Sequence, residues 1–234
     1  MEKQNRSWSF MGENYGSGMK TIHGAASFLV SSDCVSLYVT QQGGHVAPVE
    51  FLLGERRVSP YALAPWEPGE IDAEMPVLLK NLRGDFFCLP FGPQAAGPPH
   101  GATANHEWKL ISQSEGEILL EMEAADVSGN ILKTVTLRPG ETTIYYEHRI
   151  SGVGGNFSYG THPILDLSAI EDGAGRVSVS PFRWASVYPE IFSNPADGAR
   201  QALERGAVFS ELAAVPAMDG NLTRSEERRV GKEC

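Results

Sequence analysis

Two of the six histidines in this chain of 234 residues sit where proton transfer is practicable. His100 lies in Pro98-Pro99-His100-Gly101. The two prolines stiffen the approach, and the glycine lets the backbone turn sharply or come close to a ligand. Asn105 and Trp108 follow within one short segment, and an indole offers an apolar face of the kind sugar rings stack on. His162 lies in Tyr159-Gly160-Thr161-His162-Pro163. Pro163 biases the residue before it towards extended backbone, which holds an imidazole at a strand end where a general acid is useful. Plainer readings stand beside these: a loop histidine next to a core tryptophan, and a strand-end turn. His23, His45, His106 and His148 have less distinctive surroundings.

Other chemistries lack their residues. There is no G-x-S-x-G nucleophile elbow, no C-x-x-C and no H-E-x-x-H. Gly152-Val153-Gly154-Gly155 lacks the last glycine of a dinucleotide fingerprint and its βαβ setting. No metal and no cofactor is expected. Cys88, in Phe86-Phe87-Cys88-Leu89-Pro90, reads as a buried apolar residue rather than a nucleophile. Cys34 and Cys88 fit a reducing, cytoplasmic setting. Asn156-Phe157-Ser158 and Asn221-Leu222-Thr223 match the glycosylation pattern, but no secretion signal gives them meaning. With 41% hydrophobic and 21% charged residues the chain is too apolar to be disordered. No run of about eighteen apolar residues calls for a membrane. A formal charge of −10 argues against a nucleic-acid partner, since phosphates need clustered Lys and Arg.

The elements that must position these residues read as strands. Val35, Leu37 and Val39 alternate with Ser36, Tyr38 and Thr40 in a run that ends at Gly43-Gly44; Ile118, Leu120 and Met122 alternate with Leu119, Glu121 and Glu123. Thr134–Leu137 is a β-branched run stopped by Pro139-Gly140. Ile144, Tyr146, His148 and Ile150 share one face of a further strand, and Val177 with Val179 forms a short one. Three runs, near 108–124, 130–138 and 142–151, predict an antiparallel meander. Only 199–213 reads as helical, interrupted by Gly206, while Ala62–Pro76 and Phe91–Gly101 read as loops. The expected fold is all-β: an antiparallel β-sandwich in one domain over 19–223.

Both ends are set apart. Residues 1–18 are polar and Gly-rich, and read as a disordered leader or a start placed too early. Residues 224–234, RSEERRVGKEC, resemble the translation of a sequencing-adapter oligonucleotide. On that reading the natural sequence runs on past Thr223 and the sandwich is incomplete at its C-terminus. Residues 1–223 are then expected to express poorly and to be inactive, because missing strands leave edges and apolar faces bare.

Gly43-Gly44-His45, Pro99-His100-Gly101 with Trp108, Leu137-Arg138-Pro139-Gly140 leading into a long strand, and Tyr159-Gly160-Thr161-His162-Pro163 occur in one order. In that order and spacing, over roughly residues 35–223, the chain resembles the aldose 1-epimerase (galactose mutarotase-like) family. The resemblance implies a large antiparallel β-sandwich and an isomerase, when full length, that interconverts the anomers of a hexose without metal or cofactor. It implies His162 as the acid that protonates the ring oxygen and His100 as a contact near that oxygen. It implies an arginine on the sugar hydroxyls, for which Arg83 is the nearest candidate although its local motif departs from the usual one; a solvated loop arginine is the plainer alternative. Asn105 and Trp108 complete the substrate-binding set. The family's glutamate base is expected beyond Thr223, and Asp166 and Asp219 do not replace the family's sugar-binding aspartate. The partner is a free or modified hexose; the oligomeric state stays open. Two alternatives remain: a non-catalytic carbohydrate-binding protein on the same fold, and a hexose-6-phosphate epimerase, for which Arg56, Arg57 and Arg83 give thin support.

Overall fold

The computed structural model describes residues 18–95, 97–171, 174, 178–191 and 201–223. The chain clusters into two compact units, Met1–Asp166 and Leu167–Cys234, where one domain was expected over 19–223.

The first unit carries two antiparallel sheets. One has five strands in chain order, β1 (Lys20–Ile22), β2 (Ala25–Ser31), β3 (Val35–Thr40), β4 (Val46–Leu53) and β5 (Arg56–Val58). The short helices α1 (Val77–Lys80) and α2 (Gly101–Asn105), and the two-residue strand β6 (Phe87–Cys88), lie between the sheets in sequence. The second sheet is the meander β7 (Lys109–Ser114), β8 (Glu117–Ala124), β9 (Gly129–Leu137) and β10 (Ile144–Ser151). The single run expected near 108–124 is therefore two strands. Glu115-Gly116 turns the chain between them, with Gly116 at φ +72°.

Alternation explains how the sheets pack. On β9 the inward residues Ile131, Lys133, Val135 and Leu137 are buried, while Asn130 is exposed. Phe28 and Val30 of β2, Val35, Leu37 and Val39 of β3, and Val46 and Val49 of β4 join Ile118, Leu120, Met122, Ile131 and Val135 in one core cluster. Two inner faces interdigitating in this way make a β-sandwich. That is the all-β, antiparallel class the sequence predicts.

The second part of the first unit is less regular. β11 (Gly160–Thr161) pairs antiparallel with β6, Thr161 opposite Phe87. The pairing runs on through His162 N–H to the Phe86 carbonyl (2.9 Å) and Ile164 N–H to the Gly84 carbonyl (2.7 Å). On its other edge the segment bridges Asp85 to Val46.

The second unit contains β12 (Ala185–Ser186) paired with β13 (Val208–Phe209), and β14 (Val215–Pro216) paired with β15 (Leu222–Thr223). The helix expected over 199–213 is not there: the described residues 201–213 hold a bridge at Leu203, a turn at Gly206 and β13. Leucine and alanine set the helical expectation, but Gly206 at φ +70° reverses the chain instead. The short strand expected at Val177 and Val179 lies in part outside the described residues; Val179 itself is in no strand. The two terminal segments, 1–17 and 224–234, also lie outside the described residues.

Candidate active site

The strand segment 83–89 organises the site because its side chains alternate between two faces. Phe86 and Cys88 pack with Leu78 and Ala104, whereas Phe87 and Leu89 join the inter-sheet core.

On the first face, Phe86 is the platform. His45 and His162 both stack on it, with ring centroids 4.4 and 4.8 Å away. His100 meets His162 edge to face at 5.1 Å, and Phe91 closes against both imidazoles. The two histidines singled out by their Pro and Gly neighbours are thus brought together from positions 62 residues apart in the chain.

Local backbone explains the placement of His100. It caps α2 in the left-handed region at φ +64°, followed by Gly101 at φ +73°. A Cβ on Gly101 would lie 2.1 Å from the Leu89 carbonyl oxygen, so only glycine allows this approach. The His100 N–H donates to the Gly92 carbonyl (2.8 Å), and the Gly92 N–H donates to His100 Nδ1 (3.3 Å). An accepting Nδ1 leaves the proton of the neutral ring on Nε2. Burial, and His162 beside it, lower the His100 pKa and favour that neutral form. His162 is half-buried, and its Nδ1 is buried without a hydrogen-bond partner.

The three expected substrate contacts are built into the frame. Arg83 is 1% exposed and donates to the carbonyls of Ile22 (2.8 Å), His23 (2.8 Å) and Asn81 (3.1 Å). It is neither a solvated loop residue nor free to reach a ligand; burial brings its pKa down to about 10. Asn105 accepts from Leu78 N–H (3.0 Å) and donates to the Pro99 and Gly101 carbonyls (both 2.8 Å), tying the His100 loop to α1. Trp108 is 0% exposed in the core, its Nε1–H donating to the Thr103 carbonyl (3.0 Å), and offers no face to a ring. Asn105 and Trp108 hold the segment that carries His100, and Arg83 ties its strand to β1 and the turn after it.

On the second face lies a polar group that the motifs did not reveal. Lys133 and His148 stand directly opposite each other across β9 and β10. His148 stacks on Phe87 at 4.0 Å. Lys133 is 2% exposed and donates to the Gly44 carbonyl (2.5 Å). Burial brings the ammonium down to about 8, with Asp85 opposing. Asp85 is 7% exposed; burial pushes its pKa up, with Lys133 pulling the other way. Burial also raises the Tyr61 and Tyr146 phenols, both near Asp85. The one signal in the sequence was phase: Lys133 occupies an inward position between Ile131 and Val135.

Cys88 is fully buried, its thiol pushed up to about 12 by burial and by Asp85, which removes thiolate chemistry at neutral pH. Among the described residues no group of three His, Cys, Asp or Glu could hold a metal. Nor, among the described residues, is any helix long and apolar enough to cross a membrane. A cleft of about 920 Å³ opens elsewhere on this unit, lined by residues including His106, Glu107, Lys109 and Glu123. Those four side chains are solvated.

No family model and no curated protein matches the chain. Among solved structures it is similar to the crystal structure, in monoclinic form, of a candidate mutarotase (YeaD) from Salmonella typhimurium. The TM-score is 0.49 and the identity 16%, over 82% of this chain and 62% of that one. This chain therefore spans less than two thirds of that protein's structure, and a likeness so distant says nothing of chemistry.

Proposed function

We propose that the chain belongs to an aldose 1-epimerase-like isomerase that opens and recloses the ring of a hexose, with His162 as acid and His100 as a ring-oxygen contact. The observation that supports this most is the edge-to-face meeting of His100 and His162 at 5.1 Å, each imidazole held by a separate device. Anomer exchange needs a proton delivered to the ring oxygen while another leaves the anomeric hydroxyl. The ring opens to the aldehyde, C1–C2 rotates, and the ring recloses on the other face. A neutral His100 with its proton on Nε2 can donate a hydrogen bond to the ring oxygen while His162 delivers the proton. The base, a glutamate in the family resembled, is assigned to no residue here.

Phosphorylated hexoses fit less well. Arg83 is buried on backbone carbonyls and Arg57 is paired with Glu50 at 2.5 Å, so neither is set to receive a phosphate. The test follows anomer exchange of glucose and galactose by NMR with the full-length gene product. Acceleration over buffer that falls at least about a hundredfold in His162→Ala is expected. No acceleration would remove the catalytic reading; sugar binding without exchange would favour a carbohydrate-binding protein.

A further inference from the structure

The near-parallel ring contacts of the histidine face run from His45 to Phe86, on to His162 and then to Phe91, with tilts of 18°, 9° and 15°. Exposure rises along that series. His45 and Phe86 are buried, His162 is half-buried, and Phe91 is 38% exposed. An exposed apolar side chain needs no explanation when it stands alone. Phe91 does not stand alone. Its ring centroid lies 5.0 Å from that of His100 and 5.9 Å from that of His162. Phe86 also meets both imidazoles, but it is closed off in the core. Phe91 is the ring through which both imidazoles border solvent.

The ring is held rather than loose. Phe91 N–H donates to the Ser158 carbonyl (2.8 Å), and the Ser158 hydroxyl donates to the Phe91 carbonyl (2.9 Å). The next residue, Gly92, exchanges two hydrogen bonds with His100. Gly160 packs against the ring: a Cβ there would stand 3.5 Å from Phe91 Cδ2. A surface fixed in this way loses little entropy when a ligand packs on it.

Offset and chemistry indicate what the ring takes. Stacked carbon atoms touch at about 3.5–4 Å, so near-parallel rings with centroids 5.9 Å apart are displaced sideways. His162 therefore covers only part of the Phe91 face. That face is apolar and carries the negative side of the ring quadrupole. A pyranose complements it: its C–H bonds project from carbons that oxygen leaves slightly positive, and its polar groups lie round the rim.

We propose that Phe91 is the platform of the sugar site: a pyranose packs its C–H face on the uncovered part of this ring, level with the His162 imidazole, and presents its ring oxygen to the two histidines. This rests on the carbohydrate reading above. It gives Phe91 the stacking role expected of Trp108, which is sealed in the core.

The test uses full-length protein with 1,5-anhydro-D-glucitol and 1,5-anhydro-D-galactitol, which lack the anomeric hydroxyl and cannot open, so that binding is read apart from exchange. In NMR titrations the Phe91 ring current should move the C–H signals of the bound sugar upfield. Phe91→Leu keeps apolar bulk without a π face; it should abolish that shift and weaken binding about fivefold in calorimetry. Phe91→Tyr should restore both, with thermal melts confirming that each variant is folded. With free glucose, Phe91→Leu should raise KM more than it lowers kcat, since His162 keeps its stack on Phe86. Binding without the upfield shift, equal affinity in parent and Phe91→Leu, or a Phe91→Tyr as weak as Phe91→Leu overturns the proposal. Anomer exchange with an unchanged KM in Phe91→Leu overturns it while leaving the isomerase reading intact. A shift that depends on Phe91, without anomer exchange of free hexoses, supports the platform and removes the catalytic reading. No binding of either anhydro sugar overturns the platform.

Discussion

The His162 imidazole lies parallel to the Phe86 ring, 4.8 Å between centroids and 9° apart in tilt. Phe86 in turn stacks on His45, which is wholly buried. His162 is therefore oriented from within the fold, by an aromatic plane fixed in the core, although its own loop reaches the surface. Replacing Phe86 by leucine removes that plane while keeping an apolar residue. His162 should then sample more than one ring orientation, and any anomer-exchange activity should fall through kcat more than through KM. Equal kcat in Phe86→Leu would show that the stack does not orient the acid.

The left-handed turn at His100 and Gly101 gives a second expectation. Gly101→Ala places a Cβ 2.1 Å from the Leu89 carbonyl oxygen, in a conformation that already disfavours a side chain. A loss of stability of at least about 1–3 kcal/mol should result, seen in denaturant melts. The contact between the His100 and His162 rings should be lost with it, visible as missing nuclear Overhauser effects. A variant as stable as the parent would contradict the close approach.

Arg83 offers a test that separates holding from binding. Arg83→Met removes the donors to the Ile22 and His23 carbonyls. Amide exchange in β1 and in the turn after it should accelerate, and stability should fall by about 1–3 kcal/mol. Sugar affinity per folded molecule should not change. An affinity loss with unchanged exchange would return Arg83 to the ligand.

Acid should weaken the fold through its buried histidines. His45 and His148 are both lowered to about 3, chiefly by burial, so the unfolded chain takes up their protons first as pH falls below about 6.5. Their contribution is intact above that value, shrinks as pH falls, and is gone near pH 3. For His45, wholly buried, it is on the order of 5 kcal/mol. Thermal melts from pH 7 to pH 4 should show a falling Tm. The slope should flatten in His45→Gln, whose amide can still donate to the Ala104 carbonyl that His45 Nε2 now meets at 3.1 Å. An identical slope in that variant would dismiss His45 as the cause.

Much of the fold was legible where strands alternate cleanly. The shared face of Ile144, Tyr146 and His148 is the inward face of β10. The β7–β8 boundary was hidden because a two-residue turn at Glu115-Gly116 barely interrupts the run. β4 was hidden by Pro48, a residue that argues against a strand interior. At the site, proline and glycine neighbours marked His100 and His162 because those residues constrain backbone directly. Arg83, Asn105 and Trp108 show what sequence leaves out: residue type tells what a side chain can bond, and only the fold tells that backbone carbonyls and amides already use it. Asp85 and Lys133 went unseen because a charge at an inward phase has no meaning until the facing strand is known.

Segment 83–89 serves the histidine face with its even residues and the Asp85 face with its odd ones. A single deletion or insertion within it would exchange the two sets, turning the phenylalanine platform away from the imidazoles and the carboxylate away from the lysine. Point substitutions can retune either face alone, but length changes here can be tolerated only in pairs. One short stretch of backbone thus links the histories of both faces, and relatives that keep one should keep the spacing of the other.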